Sequence, residues 1–196
     1  MFKETSKELL NFLSKSPTAF HAVENYRQIL NADGFKELLE SEHWDIVPGG
    51  KYYVTRNNTS ILAFKVGTKL DNYSFNIVTS HTDSPTFKVK ENAEIEVKNK
   101  YTQLNTEGYG GMLCATWLDR PLSIAGRVLV SEGNSIVTKL LNIDRDLLMI
   151  PNVAIHMNRA ANDGFKYNLQ VDMLPLLSGG DDRQKDFKQI IADELG

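Results

Sequence analysis

Apolar and polar positions change their period twice along this chain. Over residues 3–15, Leu9, Leu10, Phe12 and Leu13 form a helical stripe among lysines and glutamates. Ser16-Pro17-Thr18 interrupts it, and since proline suits the first turn of a helix, a second helix is predicted with Ser16 or Thr18 as its cap. That helix carries Phe20, Val23, Tyr26 and Leu30 inward and stops at Asp33-Gly34. After Pro48-Gly49-Gly50 the period shortens to that of strands, at residues 52–55, 61–66, 75–79 and 87–90, with Asn57-Asn58 as a turn. From Asn92 onward the texture is mostly β. Glu94, Glu96 and Lys98 alternate with Ile95 and Val97, and residues 122–130 and 136–143 read as strands split by Glu132-Gly133-Asn134. Residues 181–195 return to helix, with aspartates at the start and Phe187, Ile190 and Ile191 apolar. Two helices leading into a hairpin and a buried strand predict a layered α/β beginning, followed from about residue 91 by a separate β-rich unit.

Composition narrows the class. The chain of 196 residues is 41% hydrophobic and 24% charged, enough apolar material for a packed core. A formal net charge of −3 supplies no basic field for nucleic acid or an anionic membrane. The single cysteine excludes an internal disulfide framework and suits a reducing compartment. No apolar run approaches the length of a membrane span, and the first residues, Met1-Phe2-Lys3-Glu4, lead into an amphipathic pattern rather than a signal peptide. The expectation is a soluble cytoplasmic protein.

Chemistry enters at Val78-Thr79-Ser80-His81-Thr82-Asp83-Ser84-Pro85. The apolar stretch 75–78 runs straight into a His-x-Asp pair that a proline then stops. In extended backbone His81 and Asp83 project to the same face, roughly 7 Å apart. A neutral imidazole is a common zinc ligand, and a neighbouring carboxylate can orient its ring. Taken alone, the pair reads more readily as a hydrogen-bonded corner at a strand end. No H-E-x-x-H or C-x-x-C accompanies it. Glu107-Gly108-Tyr109-Gly110-Gly111 lacks the spacing of a phosphate loop and predicts a tight turn or a close backbone approach. Trp117-Leu118-Asp119-Arg120-Pro121 reads as a local ion pair at a strand start. His156 follows an apolar strand as His81 does, which fits a structural histidine or a second site residue. His21 and His43 show no partner, and Cys114 reads as a buried small side chain.

Taken in order, these segments resemble the zinc-dependent aspartyl aminopeptidases, the aminopeptidase I-like metallopeptidases. The matching stretches are Ser16-Pro17-Thr18-Ala19-Phe20-His21-Ala22-Val23, Pro48-Gly49-Gly50-Lys51-Tyr52-Tyr53-Val54-Thr55-Arg56-Asn57 and Ser80-His81-Thr82-Asp83-Ser84-Pro85. They continue through Glu107-Gly108-Tyr109-Gly110-Gly111, Thr116-Trp117-Leu118-Asp119-Arg120-Pro121-Leu122 and Ala125-Gly126-Arg127-Val128. The last are Ile150-Pro151-Asn152-Val153-Ala154-Ile155-His156-Met157-Asn158-Arg159 and Asp172-Met173-Leu174-Pro175-Leu176-Leu177.

The resemblance implies an α/β catalytic domain, its N-terminal part at residues 1–90, followed by an inserted β-rich dimerisation domain at residues 91–196. It implies hydrolysis of peptides with release of N-terminal residues, preferably acidic, by two zinc ions. His81 matches a zinc ligand. Asp83 matches the catalytic-site aspartate that supports the metal. His156 matches a histidine that reaches a neighbouring subunit's active site and helps bind substrate. The partners implied are a peptide substrate and further copies of the same chain, with no nucleic acid and no membrane. The family's remaining zinc ligands and its general base match nothing before Gly196, so the resemblance implies an N-terminal portion, inactive alone. The alternative from another class is a non-catalytic oligomerisation or interaction module.

Overall fold

Thr18, not Ser16, starts the second helix. Its backbone is extended (φ −136°, ψ 165°) and its side chain accepts the His21 amide at 3.4 Å, while Ser16 Oγ accepts from Asn25 Nδ2 at 2.9 Å. The computed structural model describes residues 2–71, 74–180 and 186–196. It divides into two compact units, residues 1–84 with 126–140 and residues 85–125 with 141–196.

In the first unit α1 (Phe2–Ser14) precedes α2 (Ala19–Ala32). Gly34, at φ +79°, ends α2: its amide donates to Asn31 O at 3.0 Å and that of Phe35 to Leu30 O at 2.9 Å. These bonds satisfy carbonyls the last turn would leave open, and only glycine takes that backbone conformation without strain. A three-stranded sheet follows, with β2 (Lys51–Arg56) between parallel β1 (Lys36–Glu37) and antiparallel β3 (Ser60–Lys65). Tyr52 and Tyr53 point to opposite faces of β2, yet both are buried, so this central strand is covered on each side. Tyr53 lies toward α2, its hydroxyl donating to Asn31 at 3.0 Å, and Tyr52 packs on Phe64 with ring centroids 5.6 Å apart. β1 has only two residues. Arg27 of α2 helps hold it, donating to Glu37 at 2.8 Å.

The β2–β3 turn uses Asn57 and Asn58 at φ 51° and 54°, with the Thr59 amide bonded to Arg56 O at 3.1 Å. Two consecutive left-handed residues make the hairpin-matched type I′ turn, and asparagine tolerates that region. The ribbon β6 (Ala125–Glu132) and β7 (Ser135–Asn142) is closed by Gly133, at φ +60°. Arg127 ties it to the unit, with its guanidinium 4.5 Å from the Phe20 ring centroid and a bond to Asn57 Oδ1 at 3.3 Å.

The apolar stripe of α1 is not buried: Leu9, Leu10 and Leu13 stay exposed, and Phe12 meets Tyr26 at 4.7 Å. The strand expected at residues 75–79 does not form. Val78 is 97% exposed and the stretch 74–80 takes no regular structure. A strand exists only through a bonded neighbour, and none pairs with this stretch among the described residues.

In the second unit β4 (Thr86–Val97) pairs with β5 (Tyr101–Tyr109), which pairs with β8 (Leu176–Gly179), all antiparallel. β4 runs on through residues 90 and 91. Lys98 and Asn99, both at φ 53°, close the first pair in another type I′ turn. Leu104, Ile143, Leu148, Ile150, Met173 and Leu174 form the core. β5 and β8 were not expected from the sequence, because Gln103, Asn105 and Glu107 mask one and Pro175 the other. The strand expected from residue 122 starts at Ala125; Leu122 instead makes an isolated bridge to Leu148. α3 (Phe187–Leu195) is capped by Asp186, which accepts the Gln189 amide at 2.6 Å; the expected helix residues 181–185 lie outside the described ones. No described helix is long and apolar enough to cross a membrane.

Candidate functional site

His81 stands at the end of the irregular stretch 74–80, so its place is not the tip of a buried strand. Its position comes from short local bonds. Thr82 Oγ1 donates to Thr59 O at 2.6 Å, which fastens the residue between the two polar side chains to the β2–β3 hairpin. His81 Nδ1 lies 2.8 Å from the carbonyl oxygen of Asp83 and 3.3 Å from its carboxylate Oδ1. Both oxygens can only accept, so the proton sits on Nδ1 and the lone pair of the neutral ring on Nε2. With the imidazole side chain 81% exposed, that lone pair is open to an incoming ion. This is the orientation in which metal-binding histidines are held, their other ring nitrogen donating to a carbonyl or carboxylate.

One ring does not close a zinc site. Among the described residues no three His, Cys, Asp or Glu side chains are grouped to hold a metal ion. The residues present therefore fall short of the three protein ligands of a catalytic zinc. They supply one oriented imidazole with an open ring nitrogen.

His156 belongs to the second unit, where the structure places it on a turn instead of after a strand. Ala154 O accepts the Met157 amide at 2.8 Å, making a β-turn with His156 in its third position. The ring is exposed, as are Val153, Ile155 and Met157 around it, so it is not a satisfied core histidine. The structure brings His81 and Asp83 together; His156 stands apart in sequence and unit.

Several other expectations change. Asp119 and Arg120 each bond main chain: Asp119 Oδ1 accepts the Asn152 amide at 2.8 Å, and Arg120 Nη1 donates to Thr116 O at 3.3 Å. Thirty-odd residues separate Asp119 from Asn152, so no local pattern announced that contact. The glycine-rich segment is a close backbone approach. A Cβ at Gly108 would lie 2.7 Å from Leu169 Cδ1, and Gly110, at φ +75°, sits against Pro85. Cys114 is half-buried in the 3₁₀ turn Cys114–Trp117. His43 lies 3.8 Å from Asp45.

His21 has a partner after all. It is buried in the first turn of α2, with Nδ1 2.8 Å from Thr18 Oγ1, and burial pushes its pKa below the ordinary 6.5. As pH falls through 6.5 the unfolded chain takes up a proton that the folded chain resists, so stability drops on the acid side. Urea titrations between pH 7.5 and 5.5 are expected to show this loss, and His21→Gln to flatten it by at most one proton per chain.

The family described as "Aminopeptidase I zinc metalloprotease (M18)" matches residues 12–193. The "Probable M18 family aminopeptidase 2" of Clostridium novyi (strain NT) is 50% identical over 175 residues, covering 88% of this chain and 40% of that protein. The "Aspartyl aminopeptidase" of Dictyostelium discoideum is 46% identical over 176 residues, 88% of this chain and 36% of its own length. Among solved structures, Chaetomium thermophilum mApe1 superposes with a TM-score of 0.86 at 30% identity, covering 98% of this chain and 47% of that one. The S. cerevisiae mApe1 dodecamer does so with 0.72 at 26% identity, covering 92% and 40%. The chain thus spans less than half the length of these relatives. By sequence and by fold it belongs to a metallopeptidase family, the M18 family of zinc aminopeptidases.

Proposed function

We propose that this chain contributes to an aminopeptidase that releases acidic N-terminal residues, aspartate or glutamate, from peptides by two-zinc hydrolysis. The observation that carries the reading is the His81 ring, protonated on Nδ1 by its bond to Asp83 and open at Nε2. His81 is then a zinc ligand and Asp83 the carboxylate that orients it within the catalytic site. His156 is the substrate-binding residue, and its exposed turn, flanked by Val153, Ile155 and Met157, suits a position that a second copy of the chain covers. Zinc, when bound, polarises a scissile carbonyl and lowers the pKa of water. Among the described residues no group of three candidate ligands completes the site.

In this reading residues 1–90 belong to the catalytic domain and residues 91–196 to an inserted dimerisation domain. The three-stranded sheet of the second unit supports the latter, and the dodecameric relative supports a homo-oligomer. The lone cysteine and the net charge of −3 favour a cytoplasmic setting without nucleic-acid or membrane partners.

The purified 196-residue chain is expected to bind zinc weakly and to hydrolyse neither Asp- nor Glu-peptides. The zinc-loaded enzyme carrying this sequence is expected to cleave both in preference to Ala- or Leu-peptides. Appreciable hydrolysis by the isolated chain, or a preference for apolar N-termini, would refute the corresponding half of the reading.

A further inference from the structure

We infer that Asp119 is a positioning residue that clamps the base of the His156 turn. The inference rests on the proposed role of His156 in substrate binding. Three contacts carry it, all within the second unit. The Asp119 amide donates to Ile150 O at 2.9 Å, next to the parallel bridge between Leu118 and Ile150. Its carboxylate Oδ1 accepts the Asn152 amide at 2.8 Å. Asn152 Oδ1 in turn accepts the Val153 amide at 2.8 Å. Main chain and side chain of one residue thus grip both sides of Pro151. The register of the chain entering the Ala154–Met157 turn is set four residues before His156.

Asp119 meets these partners at φ +56°, a left-handed conformation that few residue types adopt. Asp and Asn tolerate it, and glycine occupies it freely, but among these only Asp and Asn carry a side-chain oxygen to accept the Asn152 amide. The same bond could be dismissed as ordinary loop closure. Against that stands its target. Ile150, which it follows, is fully buried, whereas every residue from Pro151 to Met157 is exposed, so Asp119 joins the core to an exposed strap. A histidine that must meet a substrate needs such support, because side chains misplaced by about 1 Å lose much of their effect.

Two substitutions separate the clamp from the backbone strain. Asp119→Asn keeps both the left-handed backbone and an acceptor; Asp119→Gly keeps only the backbone. In the zinc-loaded enzyme, D119G is expected to raise KM for a Glu-peptide about tenfold through a smaller competent population of the turn. D119N should stay within about threefold of the original, and the metal content of both should be unchanged. In the 196-residue chain, amide exchange at Asn152 is expected to quicken in D119G and not in D119N. Unchanged Asn152 exchange in D119G overturns the clamp. Quickened exchange with an unchanged KM, while His156→Ala is impaired, overturns the positioning role and leaves the reading of His156 standing. A neutral His156→Ala overturns both.

Discussion

In the zinc-loaded enzyme carrying this sequence, replacing His81 by alanine is expected to lower peptide hydrolysis by more than about a hundredfold, because even the orienting partners of metal ligands are worth roughly 10–100-fold. The ring protrudes from the first unit at 81% exposure, so its loss leaves no cavity. In the metal-free 196-residue chain, melting temperature and far-UV circular dichroism should not move. Asp83→Asn sets the scale for comparison. The main-chain carbonyl of Asp83, the closer of the two acceptors at 2.8 Å, survives that change, and only the carboxylate at 3.3 Å is altered. D83N should therefore lose less activity than H81A. Zinc content measured by atomic absorption checks the order: lowest in H81A, intermediate in D83N. Equal zinc and equal activity in H81A and the original protein would remove His81 from the site.

The largest effect on stability is expected at Leu104. This side chain is fully buried in the middle of β5, and its amide donates to Pro175 O at 2.8 Å, fixing the strand against the chain that leads into β8. Leu104→Ala deletes buried methyl groups where neighbours on two sides are held by sheet bonds and collapse poorly. The cost is expected to be about 3 kcal/mol. The two tryptophans make this measurable, since Trp44 lies in the first unit and Trp117 in the second, 5.1 Å from Phe87. In a Trp44→Phe background, fluorescence of Trp117 should report an earlier urea midpoint for L104A. Leu9→Ala, on the exposed stripe of α1, should cost less than about 0.5 kcal/mol.

Elements whose signals are local were legible in the sequence. The stop and restart of helix around Pro17, the glycine after α2 and the paired asparagines of the β2–β3 turn each act within four or five residues. What depends on distant chain was not. The stretch 75–78 has the composition of a core strand and stands exposed, because residue type records a preference for burial and not the presence of a neighbour. β5 was hidden for the opposite reason: polar residues dominate it, while Leu104 and Thr106, two apart on one face, lie buried. At the site, His81 and Asp83 were legible because they are two residues apart. Asp119 was read as the partner of its neighbour Arg120, since nothing in the sequence points across to Asn152.

The two type I′ turns, at Asn57-Asn58 and Lys98-Asn99, also bear on how quickly each part of the molecule assembles. A hairpin closed by such a turn needs only its own few residues and forms in microseconds. The pairing of β8 with β5 joins Tyr101 to Gly179, about 80 residues apart along the chain, and must wait for a long loop to close. Refolding should therefore divide into an early phase that zips up neighbouring strands and a later one that recruits β8.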